Sequence, residues 1–121
     1  MLRRKHPHME ESIDLLRANG LKRFSEVFTA DGERLGVTLR FIHRPVEDVN
    51  VEQKLYRSYL VVQSLPHGGP VYVPTVYVEG HDPATGRVTL AVDINTVMNE
   101  VWNREPDFAA RGQAVPEELP A

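Results

Sequence analysis

The stretch from Val71 to Trp102 constrains the fold more than any other part of the chain. It reads Val-Tyr-Val-Pro-Thr-Val-Tyr-Val, then Glu-Gly-His-Asp-Pro-Ala-Thr-Gly, then Arg-Val-Thr-Leu-Ala-Val, and closes on Asp-Ile-Asn-Thr-Val-Met-Asn-Glu-Val-Trp. Valines alternate at Val71/Val73 and again at Val76/Val78, but the phase slips by one at Pro74-Thr75. A slip of one residue turns side chains to the opposite face of a strand. Pro74 has no N–H for a ladder, so it belongs at an edge, a bulge or a corner. The pattern therefore predicts one strand bent sharply at Pro74. Gly80 to Gly86, with Asp82-Pro83 inside, is turn chemistry. Val88, Leu90 and Val92 recur with period two and predict the next strand. Asp93 is a suitable N-cap, because its carboxylate can accept from the free N–H groups of a first helical turn. Ile94, Val97, Met98 and Val101 follow at helical spacing and predict a short helix packed by that face on the sheet.

The upstream chain supplies partners for these strands. Pro7 suits a first helical turn and Glu10 and Glu11 its positive end. Ile13 and Leu16, with Met9, form an apolar stripe, and Gly20 suits the residue just past a helix, so a helix is predicted over 9–19. Val27 to Thr29 reads as a short strand and Ala30-Asp31-Gly32-Glu33 as a hairpin turn, since Asp-Gly readily supplies positive φ. Leu35, Val37, Leu39 and Phe41 alternate with polar or small residues, the pattern of a half-buried antiparallel strand. Leu39 and Leu90, at the centres of the two clearest alternating strands, are expected in the core on opposite walls. His43 to Lys54 is a polar loop with room for a helical turn near Val51. Tyr56 to Gln63 reads as a strand buried on both faces, followed by a Ser64–Gly69 loop.

After Trp102 the character changes. Pro106, Pro116 and Pro120 stand among charges and small residues, and apart from Phe108 little apolar area is available to offset ordering entropy. The resulting division is a flexible arm over 1–8, a single domain over 9–106 and a disordered tail over 107–121. A chain of 121 residues is one domain's worth, and its hydrophobic fraction of 41% and charged fraction of 26% are those of an ordinary globular protein. The chain has no cysteine, which removes disulfides and thiolate chemistry and suits a reducing cytoplasm. No apolar run approaches the roughly 20 residues of a membrane span. The basic start lacks the apolar segment of a secretory signal.

Candidate chemistry is sparse. His43, His67 and His81 fall at strand ends or in loops, where closure of a barrel could bring two together with Asp82 in a pattern suiting zinc or iron. His6 and His8 stand in the arm. Asp31, Glu33, Glu79 and Asp82 are turn carboxylates, normally exposed, rather than a pair tuned for acid–base work. Ser58, Ser64, Thr75 and Thr85 sit in no nucleophile motif, and His67-Gly68-Gly69-Pro70 lacks the lysine and helix of a phosphate loop. Arg34, Arg40 and Arg57 could share an outer face with Tyr72 or Tyr77 and offer cations beside stacking platforms to RNA. The net charge of −3 and the interleaving of acids with bases weigh against that use. Trp102 reads as a core residue capping a barrel.

Several of these features occur in an order that resembles the PRC-barrel superfamily. The hairpin from Val27 to Gly36, the Tyr59-Leu60-Val61-Val62 strand, the Val71-Tyr72-Val73-Pro74 corner and the closing Gly86-Arg87-Val88-Thr89-Leu90 strand follow the family's succession, over about Glu26 to Pro106. The ending is similar to small bacterial proteins on the same barrel. The long polar loop and the N-terminal helix depart from the pattern. The resemblance implies a mainly β, α+β fold: a small SH3-like antiparallel β-barrel flanked by an N-terminal and a short C-terminal helix. It also implies a docking role without a shared catalytic motif. The expectation is a non-enzymatic, cytoplasmic interaction domain that binds a protein partner or itself, without catalytic residue, cofactor, metal or membrane insertion. An RNA- or ribosome-associated module is the alternative, and a small metal-dependent enzyme using loop histidines the least favoured reading. The expected interface is Tyr72, Pro74 and Tyr77, on a strand edge that would recruit another strand.

Overall fold

Three local rules build most of the elements. Residues 13–18 are helical (α1), with Ile13 and Leu16 buried on one face. The helix closes with Leu21 N–H donating to Leu16 O and Gly20 N–H to Arg17 O, both at 3.0 Å. That bonding pair requires a left-handed residue at the stop, and Gly20 supplies it at φ 72°. Strand β1 (Glu26–Phe28) turns through Thr29 to Glu33 into β2 (Arg34–His43). Asp93 caps α2 (Ile94–Asn99), accepting from Thr96 N–H at 2.8 Å. The computed structural model describes residues 13–45 and 56–121. The expected arm over 1–8, the first residues of the predicted helix, and the loop with its helical turn near Val51 lie outside the described residues.

The remaining strands are β3 (Ser58–Ser64), β4 (Gly69–Pro74), β5 (Val78–His81), β6 (Val88–Leu90) and β7 (Val115–Glu118), and a short helix α3 spans Asp107–Ala110. They form one sheet in the order β4-β3-β2-β1-β6-β5, with β7 beside the C-terminal half of β2. The fold is mainly β, α+β, as expected. The expected closed antiparallel barrel is corrected: β1 and β6 pair in parallel, Val27 opposite Val88, and the sheet is not closed. Its two terminal strands, β4 and β5, are consecutive in the chain but joined by a 3₁₀ turn over Thr75–Tyr77. Pro74, unable to donate, stands just before that turn, so the phase slip in the valines is a break between two strands and not a bend in one.

The sheet buries both faces. One face carries Leu35, Phe41, Leu60, Val62, Val71, Val73, Val88 and Leu90, with Ile13 and Leu16 of α1, Val97 of α2 and Trp102 packed against it. The other carries Ile42, Tyr59 and Val61, covered by Phe108 of α3. Alternate residues of β3 thus serve different clusters, and Tyr59 to Val62 are all buried, as the sequence led one to expect. Gly36 on β2 leaves no room for a side chain against β3: a Cβ there would lie 2.0 Å from the Gln63 carbonyl oxygen.

Three expectations are corrected here. Leu39 is only half-buried and packs with the Ile42 cluster, not opposite Leu90. Thr38 pairs with Val62 and Arg40 with Val61, so Leu39 is the extra residue of a β-bulge, and the bulge turns the later side chains over. Met98 and Val101 are exposed: only Val97 of the predicted apolar face is buried, and α2 ends at Asn99, before Val101. The tail over 107–121 is part of the fold. Phe108 is fully buried, Leu119 joins the main core, and β7 pairs with β2 from Arg40 opposite Glu118 to His43 opposite Val115.

Candidate functional site

A pocket of about 430 Å³ lies beside β4, lined by Tyr56, Tyr59, Tyr72, Glu100, Val101, Trp102, Arg104, Glu105 and Pro106. Four aromatic side chains from separate parts of the chain meet there. Tyr59 comes from β3 and Tyr72 from β4. Tyr72 points to the face opposite Val71 and Val73, whose side chains are in the main core. Trp102 follows α2 and is held by its backbone: its carbonyl accepts from Tyr72 N–H at 2.7 Å, and its N–H donates to Val97 O at 3.4 Å.

The aromatic walls are set at angles. Tyr56 and Tyr59 meet edge-on, with centroids 6.2 Å apart and planes at 85°. Tyr77 stands behind them, 5.2 Å from Trp102 and edge-on to Tyr56. Its hydroxyl lies 2.9 Å from that of Tyr56, a hydrogen bond that fixes the Tyr56 ring. Burial raises the pKa of Tyr56, with the Tyr77 hydrogen bond adding to it and the Glu100 carboxylate contributing less. Burial likewise raises Tyr72, with Glu105 next. Both phenols stay protonated and available as donors, and both sense the carboxylates at the rim.

Val101 lies in this lining at φ 59°. It is the stop residue of α2, the position Gly20 holds in α1, with Val101 N–H donating to Met98 O at 3.2 Å. A β-branched residue in the left-handed region is strained. Strain of this kind collects at binding and catalytic sites, where the surroundings over-determine the backbone.

Of the expected interface residues, Tyr72 lines the pocket, Tyr77 supports it from behind and Pro74 is buried at the end of β4. The expected recruitment of another strand at this edge is corrected. Tyr72 N–H points away from β3, so Pro70 and Pro74, two residues to either side, share its direction. Two of the three outward positions thus lack a donor and the third is satisfied by Trp102.

The histidines do not converge. His43 bridges Ser58 (Nδ1, 2.7 Å) and Glu117 (Nε2, 2.8 Å) at the start of β3, while His67 contacts Ser64 Oγ at the other end of that strand. His81 is on β5, the far edge of the sheet; burial lowers its pKa, and its Nδ1 is buried without a partner among the described residues. Among the described residues no group of three or more His, Asp or Glu gathers as metal ligands. Arg34 pairs with Glu26 at 3.0 Å and Arg40 with Glu118 at 2.9 Å, which neutralises two of the three cations considered for RNA. Unforeseen was Arg44: its side chain is almost fully buried, its guanidinium lies 4.5 Å from the Phe108 ring centroid, and its Nε donates to Tyr56 O at 2.8 Å.

Fold and site together define a mainly β, α+β domain with an aromatic-walled pocket at one edge of its sheet. No family model matches the chain, and neither curated proteins nor solved structures provide a match. Among the described residues no helix is long and apolar enough to cross a membrane.

Proposed function

We propose that this chain is a non-enzymatic interaction domain that engages a protein partner or a second copy through the pocket and its rim, with Tyr72 at the centre. The observation that carries this reading is the convergence of Tyr56, Tyr59, Tyr72 and Trp102 on one open pocket, supported from behind by Tyr77. Aromatic residues with polar tips give large contact area at low entropic cost, which is why they anchor interfaces. The order of motifs resembling a PRC-barrel agrees with a docking role, and the cysteine-free sequence with a cytoplasmic setting. The test is Tyr72→Glu, with melting temperature and light-scattering mass measured together, and cross-linking to purified candidate partners where the chain is a monomer. The expected result is a folded variant that loses association. A folded variant that associates as before overturns the reading.

A further inference from the structure

The ligand class can be taken one step further, resting on the reading of the pocket as the binding site. We propose that the pocket receives an alkylammonium group, with the aromatic faces as its walls and Glu100 and Glu105 as its counter-charge. The faces of aromatic rings carry negative potential, and cages of several rings select organic cations over neutral groups of the same shape. Three observations beyond the presence of aromatics support a cation here.

The first is wall geometry. Tyr56 and Tyr59 stand nearly perpendicular, and Tyr56 is held in place through its hydroxyl by Tyr77. Rings set at an angle around a cavity can offer more than one face to a round ligand, whereas parallel rings would favour a flat one.

The second is charge. Two carboxylates and one guanidinium, that of Arg104, line the pocket, leaving a net negative rim. Among the described residues, neither Glu100 nor Glu105 is in an ion pair, while Glu26, Asp107, Glu117 and Glu118 are each matched to an arginine. Arg44, which hydrogen-bonds the side chain of Tyr59, is matched to Asp107 and lies over the Phe108 ring, so its charge is already balanced by a carboxylate outside the pocket. It shows that this chain already places a cation on an aromatic face within the same cluster.

The third is backbone. Val101 keeps a left-handed conformation that glycine would hold without strain, and its side chain is part of the lining. A strained residue retained at this place is accounted for if its side chain shapes the cavity.

The experiment exploits the single tryptophan, which is in the pocket. The full chain is titrated with choline chloride, with its neutral isostere 3,3-dimethylbutan-1-ol, and with sodium chloride at equal ionic strength, reading Trp102 fluorescence and amide chemical shifts. The expected result is a saturable response to choline, at least five-fold weaker with the alcohol and absent with sodium. Glu100→Gln with Glu105→Gln, isosteric changes at two exposed positions, should weaken choline at least five-fold with an unchanged melting temperature. A parallel arm uses a peptide bearing trimethyllysine: tighter binding than choline identifies a protein-borne ammonium, equal binding a free small cation. No saturable response, or equal responses to choline and the alcohol, overturns the proposal. Association lost in Tyr72→Glu would then still stand, so failure of the ligand class is separable from failure of the site.

Discussion

At the scale of single residues, Val101 gives the sharpest expectation. The left-handed conformation costs a side-chain-bearing residue about 1–2 kcal/mol, and glycine's extra freedom in the unfolded chain returns about 0.5–1 kcal/mol of that. Val101→Gly should therefore raise stability by about 0.5–1 kcal/mol in a denaturant melt while weakening whatever the pocket binds. Leu90→Ala, at a fully buried position, should cost about 2–5 kcal/mol, and Leu39→Ala on the half-buried bulge about 1 kcal/mol; equal losses would show that the bulge does not divide the two faces. Glu117 sets an acid limb. Its bonds from Arg17, at 2.6 and 2.8 Å, and then the His43 contact hold its pKa down at about 2 against burial. Because the folded value lies below the ordinary 4.5, the stabilisation is present above that value and is lost as pH falls towards about 2. Stability measured against pH should fall through that window, and Glu117→Gln should flatten the fall. The aromatic residues of the site were each legible as interface or core candidates, but their convergence was not. Tyr56, Tyr72 and Trp102 are far apart in sequence; a backbone hydrogen bond joins Tyr72 to Trp102, and Tyr77 joins Tyr56 to Trp102 through a hydroxyl contact and a ring contact, none of which leaves a periodic trace.

At the scale of elements, the hairpin at Gly32, the doubly buried β3 and the Asp93 cap were readable, because each depends on local chemistry: a positive-φ turn, an unbroken apolar run, a carboxylate ahead of a helix. The C-terminal segment was not, because its order comes from partners elsewhere. Phe108 needs the Ile42, Tyr59 and Val61 surface, and β7 needs β2. A composition rich in proline and charge looks unable to fold alone, and it does not have to. A chain ending at Arg111 should therefore melt clearly below the full chain. The loss of Leu119 alone removes about 1.5–3 kcal/mol of burial, apart from the β7 ladder. A melt coincident with that of the full chain would mean that this strand contributes nothing.

At the scale of the whole molecule, the two apolar clusters are the two faces of one sheet, and alternate residues of β3 contribute to each. Neither face can be lost while the other persists, so unfolding should be a single transition. Trp102 fluorescence and far-ultraviolet circular dichroism should give coincident denaturation curves; separated midpoints would show that the α3–β7 side opens first. The arrangement of β4 has a consequence for behaviour at high concentration. Val71-Tyr72-Val73 is the kind of short, uncharged, β-prone segment that seeds fibrils when its edge is open. With proline at positions 70 and 74 and the intervening amide occupied, the segment cannot template growth. Solutions of the chain should stay clear on prolonged storage, whereas Pro70→Thr should shorten the lag before thioflavin-positive aggregates form.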